Sequence, residues 1–255
     1  MTLLESMESY QPRSDLLKDR VILVTGCSEG IGRACALACA VHGATVIISD
    51  QTEEDVADLY DQIVTSGLPE PAILPLNMET AGVEYCARMA LTMHEEFGRL
   101  DGLVHCGAFT PFLSRIDDYD ADEWERVIRI NLTTPFLLTQ ACMPLLRQSR
   151  DASVVFTSDR VGRKGLAYWG AFAAAKFGIE GLMQTLAEET DSSSQIRANS
   201  IDPGVVRTGL RARLYPGENP YELPGPETIM DQYLYLLGPD SKGVTGQTLS
   251  AFAAI

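Results

Sequence analysis

The chain is 255 residues long, 45% hydrophobic, and carries a formal net charge of −15. That length suffices for one large α/β domain that buries a two-faced sheet. The acidic balance, with an isoelectric point near 4.6, excludes nucleic acid and anionic membranes as partners, because both need a basic face.

Residues 1–19 lack periodicity and read as a flexible arm, pinned by Leu16 and Leu17. The opening MTLLESMESYQPRSD is acidic and has no apolar core of signal-peptide length. No stretch approaches the roughly 18 uncharged apolar residues of a membrane span, so a cytoplasmic protein is expected. From Arg20 onward, apolar strand runs alternate with helical segments. The runs are VILVTG, ATVIIS, AILPL, LDGLVH, SVVFTS and RANSID, with TGQTLS as a last strand. Most are continuously apolar, as parallel strands covered on both faces are. Helices are predicted near 31–41, 53–65, 81–97, 121–147 and 168–190. Strands alternating with helices at this spacing imply right-handed crossovers. The predicted fold is α/β, a Rossmann-type doubly wound parallel sheet in a single domain over 20–255, with helices on both faces.

The six cysteines, Cys27, Cys35, Cys39, Cys86, Cys106 and Cys142, form no C-x-x-C pair. Cys35 and Cys39 lie one helical turn apart. That suits buried thiols in a reduced protein better than a disulfide or a metal site, and no metal is expected.

The first strand runs into TGCSEGIG, residues 25–32. Gly26 permits a sharp turn, Gly30 lets the backbone approach a pyrophosphate, and Gly32 allows close helix–strand packing. Free N–H groups around Ser28, Glu29 and Ile31, together with the helix dipole, then face the phosphates of a dinucleotide. Asp50 ends the second strand about twenty residues later, where a carboxylate hydrogen-bonds the ribose hydroxyls of NAD and repels the 2′-phosphate of NADP. Gln51 and Thr52 follow it, so no arginine stands there, although Arg33 could meet a phosphate. NAD is therefore expected over NADP.

Residues 153–180, SVVFTSDRVGRKGLAYWGAFAAAKFGIE, read as a buried strand, a polar loop and a long helix of small residues carrying Lys176. Farther on, DPGVVRT at 202–208 precedes a stretch at 209–226 rich in Gly, Pro and Tyr. The latter is too long for a simple turn and fits a mobile lid over a substrate.

These segments, with INLTTPFLLTQ, resemble the short-chain dehydrogenase/reductases over nearly the whole chain from about Gln11. Within that family the similarity is to YciK-type bacterial oxidoreductases, through YQPRSDLLKDRVILVTG, VVFTSDRVGRKGLAYWGAF and MDQYLYLLGPDSKGVTGQT. The resemblance implies reversible hydride transfer between NAD(P) and an alcohol/carbonyl pair. It implies a Tyr that moves the proton, a Lys that lowers that Tyr's pKa and binds ribose, a Ser that orients the oxygen, and an Asn that holds a relay water. Asn131 and Lys176 match two of these positions. Asn77 matches the residue beside the adenine, and Pro203, Gly204 and Thr208 match the nicotinamide-side loop.

The other two catalytic positions hold Phe172 and Asp159. Phe172 has no ionisable hydroxyl, and loss of a positioned general acid costs roughly 10²–10⁴ in rate. An ionised Asp159 beside a developing alkoxide raises the barrier instead of lowering it. His105-Cys106-Gly107-Ala108 stands where the family has N-A-G. Cys106 reads as a packed thiol, because adjacent strand residues point to opposite faces and His105 cannot serve it as a base.

The chain thus reads as a dinucleotide-binding protein with weak, atypical or no oxidoreductase activity, Asp159 and Lys176 pairing across the vacated site. An active alternative uses Asp159 as base, or Tyr168, one helical turn before Phe172, as the substitute acid. Another alternative is a non-catalytic subunit of a hetero-oligomer. The resemblance implies a homodimer or homotetramer through helices 121–147 and 168–190, where Ala171, Ala173, Ala174, Ala175, Gly178 and Gly181 permit close approach. The substrate is an unidentified small molecule.

Overall fold

A computed structural model of the protein describes residues 10–190 and 195–251. Its strands are β1 (Val21–Thr25), β2 (Thr45–Ser49), β3 (Ala72–Ile73), β4 (Gly102–His105), β5 (Ala152–Thr157), β6 (Ile196–Asp202) and β7 (Thr248–Ser250). All pair in parallel in one sheet, in the order β3-β2-β1-β4-β5-β6-β7. The chain winds outward from β1 to β3, then returns to lay β4 on the other side of β1. This is the doubly wound sheet that the alternation of elements implies.

The continuous apolar runs have their expected cause. β1, β4, β5 and β6 are buried at every residue, because helices cover both faces. Ile22, Val24, Val46 and Ile48 face α1 (Gly30–Val41), α2 (Ala57–Thr65) and α8 (Met230–Leu237). Leu23, Ile47, Leu103, Val154 and Phe156 face the opposite layer of α3 (Val83–Phe97), α5 (Thr134–Leu146) and α6 (Gly170–Thr190). The short α4 (Ala121–Ile128) packs against α6 and runs through a π-turn into α5, while residues of α4 and of α7 (Gly209–Leu214) line the same cleft.

The helices at Gly209–Leu214 and Met230–Leu237 were not expected from the sequence, and three of the expected elements differ in extent. The run AILPL pairs as a strand only over Ala72–Ile73. Pro75 has no N–H to donate, yet the N–H groups of Leu74 and Leu76 still reach the carbonyls of Ile48 and Asp50 at 3.1 and 2.7 Å. The helix expected over 121–147 is broken by a π-turn at Arg129–Thr133. Pro135 deprives the Asn131 carbonyl of its helical donor, which is where such a bulge forms. The helix expected from 168 begins at Gly170, because Tyr168 has a left-handed backbone with φ of 74°.

The N-terminal segment is anchored from Tyr10 onward. Leu16 and Leu17 are buried in the core, and the Tyr10 hydroxyl donates to Asp240 at 2.9 Å. Residues 1–9 of the expected arm lie outside the described residues. Among the described residues, no helix is long and apolar enough to cross a membrane.

Candidate functional site

β1 and β4 stay paired to their last residues, Thr25 and His105. The chain leaves them toward opposite faces of the sheet, so a crevice opens beyond their C-terminal ends, where the strand order reverses. It is a cleft of about 440 Å³, within the range of small-molecule sites. The turn from β1 into α1 forms one wall. Gly26 has φ of 72°, and a Cβ on it would sit 2.7 Å from the Gly107 backbone, so the loops after β1 and β4 touch through this glycine. A Cβ on Gly32 would lie 2.0 Å from the Gly26 carbonyl oxygen. Ser28, Glu29, Gly30, Ile31 and Gly32 all line the cleft.

At the end of β2, the Asp50 carboxylate accepts hydrogen bonds from the N–H of Ser28 and of Gln51, both at 2.9 Å. It is thereby fixed beside the glycine turn and lines the cleft. Arg33 is directed elsewhere, bonding Asp58 and Gln62 of α2 at 3.0 Å each. Two buried hydroxyls of cleft-lining residues, Ser49 Oγ and Ser158 Oγ, have no hydrogen-bond partner among the described residues. Orphaned polar atoms in residues that line a glycine-walled cleft fit a polar ligand such as a dinucleotide.

The inner half of the cleft is built by the end of β5 and the start of α6. The Lys176 ammonium donates to the Thr157 carbonyl at 2.7 Å and lies 5.2 Å from the Phe172 ring centre. Lys176 is buried, and burial lowers its pKa to about 8. Asp159 Oδ1 accepts from the Val161 N–H at 2.9 Å and caps a short helical turn. Burial pushes the Asp159 carboxyl up from its usual range, which the Val161 hydrogen bond and the Lys176 charge oppose. The pair expected between Asp159 and Lys176 is not a direct ion pair: each group is turned to backbone. Their charges still sense one another across the cleft.

Other expected site residues divide clearly. Pro203, Gly204 and Thr208 line the cleft after β6. Asn77 does not: its Oδ1 accepts from the N–H groups of Glu79 and Thr80 at 3.0 and 3.2 Å, shaping the turn toward α3. Asn131 is buried in the π-turn, where its amide is fully engaged. Nδ2 donates to the Phe109 and Val127 carbonyls at 2.6 and 2.8 Å, and Oδ1 accepts from the Phe109 N–H at 3.0 Å. It positions the cleft-lining Phe109 loop rather than facing the cleft. Tyr168 precedes α6 and is 56% exposed, so it does not share a helical face with Phe172 and is no substitute acid.

Cys106 lines the cleft, 3.4 Å from Thr157 Oγ1. A hydrogen bond with Cys35 and burial hold its thiol well above the usual range. His105 points away, its Nε2 2.9 Å from Thr139 Oγ1, and burial lowers its pKa to about 3. His105 does not serve the thiol as a base.

Trp169, Tyr215 and Arg126 also line the cleft and were not singled out from the sequence. Trp169 stacks in a tilted manner on Phe172 at 5.6 Å and on Tyr215 at 6.5 Å. Aromatic residues bordering the block around Lys176 were the available signal, but a wall assembled from α6 and α7 is a tertiary fact.

Residues 20–219 match the short chain dehydrogenase family. The chain is 42% identical to the uncharacterized oxidoreductase YciK of Escherichia coli K12, over 95% of each protein. It superposes with a TM-score of 0.94 on a short chain dehydrogenase from Pseudomonas syringae, 48% identical, covering 96% of this chain and 99% of the other. It superposes at 0.90 on a short chain dehydrogenase from Shigella flexneri complexed with NADP, 42% identical, covering 94% and 99%. A family match over most of the chain, with a glycine cradle at the sheet's reversal point, makes this protein a member of the short-chain dehydrogenase family.

Proposed function

We propose that this chain binds NAD in the cleft, with a small molecule in its aromatic half, and lacks the family's usual tyrosine–serine proton transfer. The observation that carries this reading is the Phe172 ring at the cleft wall, under the Lys176 ammonium, where the family's reacting hydroxyl would stand. A ring carbon neither gives nor takes a proton at ordinary pH. The serine position is Asp159, whose charge opposes an alkoxide. NAD, when bound, supplies a hydride acceptor. The chain's own residues hold its phosphates at the N-terminus of α1 and its adenosine ribose at Asp50, and Lys176 meets the second ribose.

The preference for NAD over NADP rests on Asp50 and on Arg33. The carboxylate stands beside the glycine turn, where its charge would repel a 2′-phosphate, and Arg33 is engaged by Asp58 and Gln62. The Shigella relative's NADP belongs to that protein.

A second reading, an atypical oxidoreductase with Asp159 as base, draws support from the raised pKa of that carboxyl and its place on the cleft. Two measurements separate the readings. NAD should raise the melting temperature more than NADP does, while a broad alcohol and ketone panel gives no change in NADH absorbance. Turnover that Asp159→Asn abolishes would instead establish the second reading.

The segment 209–226 closes over the cleft as a lid in this account. Dimerisation uses the exposed faces of α5 and α6, where Phe136 is 42% and Phe177 47% exposed. Ala171, Ala173 and Ala175 are buried within the chain and belong to its own packing. The double variant Phe136→Glu, Phe177→Glu should be monomeric by light scattering.

A further inference from the structure

The aromatic half of the cleft has a feature that the dinucleotide reading does not use. Three guanidiniums line the cleft: Arg126, Arg211 and Arg213. Arg126 is held by Glu79 at 2.9 Å and stacks over Phe109. Arg211 is held by Glu218 at 2.6 Å and lies 4.2 Å from the centre of the Tyr215 ring. Arg213 has no carboxylate, hydrogen-bond or ring partner among the described residues, and it is exposed. The same cleft carries an apolar cluster of Trp169, Phe172, Leu210, Leu214 and Tyr215, with the Lys176 ammonium against its Phe172 ring.

An unpaired, exposed arginine on the lining of a cleft, in a chain of charge −15, is locally conspicuous. The surrounding field repels anions in general, so a cation left free on the cleft lining marks a place within the cleft where an anion can be held. The apolar cluster takes an apolar body, and the inner end near Asp159 and Lys176 takes a polar one. We infer that the small-molecule half of this cleft accepts an apolar, ring-bearing monocarboxylic acid, its carboxylate at Arg213 and its ring against Trp169 and Phe172. The inference rests on the proposed assignment of the other half to NAD.

The test uses a matched pair of probes on the NAD-saturated protein: 3-phenylpropionate and 3-phenylpropionamide, which share size and shape and differ in charge. Calorimetry or ligand-detected NMR reads their affinities. The carboxylate should bind roughly fivefold more tightly, between an exposed ion pair and a charged hydrogen bond, and added salt should shrink the difference. Arg213→Gln should erase the preference and Arg213→Lys should keep most of it. The melting shift produced by NAD alone should be the same in all three proteins. Equal binding of the two probes to the wild type would overturn the inference, as would no binding of either, or a preference that survives in Arg213→Gln. An NAD shift lost with Arg213 would also overturn it, by placing that residue on the dinucleotide. Absence of any NAD shift in the wild type would instead strike the reading on which the inference rests.

Discussion

The Lys176 ammonium sits 5.2 Å from the centre of the Phe172 ring, one helical turn away on α6, and its hydrogen bond goes to the Thr157 carbonyl at 2.7 Å. A ring face attracts a cation weakly and offers it no proton acceptor. The lysine is therefore a buried charge with one neutral backbone partner, and the consequences are measurable.

Burial lowers Lys176 from 10.5 to about 8. Between those values the unfolded chain binds more protons than the native one, so this residue makes stability rise with pH across that window. Lys176→Met should flatten the rise. The difference between the two proteins, followed by denaturant titration from pH 8 to 10.5, should change by about 3 kcal/mol.

His105 acts with the same sign at lower pH. Burial first, and the Lys176 charge second, lower it from 6.5 to about 3. The native state keeps it neutral while the unfolded chain protonates it, so its contribution to stability is lost as pH falls from 6.5 toward 3. His105→Gln keeps a partner for Thr139 and does not titrate. It should lose about 2 kcal/mol less than the wild type between roughly pH 6.5 and 5, read as the difference in denaturant midpoints.

Gly32 bears on both fold and ligand. A Cβ there would approach the Gly26 carbonyl oxygen to 2.0 Å, and backbone must move to relieve it. Gly32→Ala should destabilise the protein by about 1–3 kcal/mol and remove the melting shift caused by NAD.

Asp50 sets the choice of dinucleotide. Asp50→Ala leaves the Ser28 N–H without its acceptor and takes away the charge facing the ribose. NAD stabilisation should fall and NADP stabilisation should rise relative to it. Unchanged discrimination in a melting series with both dinucleotides would remove Asp50 from this role.

The sheet and its glycine turn were legible in the chain because local rules suffice there. Continuous apolar runs, a helix period between them and TGCSEGIG at the first crossover specify strand burial and a phosphate-facing helix start. The side-chain assignments were less legible. Asn77 and Asn131 match family positions by spacing, but spacing does not reveal that one shapes a turn and the other is consumed by Phe109 and Val127. Tyr168 was placed on a helix that starts two residues later, because a single left-handed residue leaves no periodic trace. The aromatic wall was missed for a related reason. Trp169 and Tyr215 are 46 positions apart by their numbers in the sequence, and only the return of the chain after β6 brings them together.

The most direct test is NADH formation by the double variant Phe172→Tyr, Asp159→Ser, run beside the wild type against a panel of alcohols with NAD. The account predicts equal melting shifts with NAD in both proteins, no turnover by the wild type, and turnover only where the hydroxyls are restored. Turnover by the wild type at the level of the double variant would contradict it.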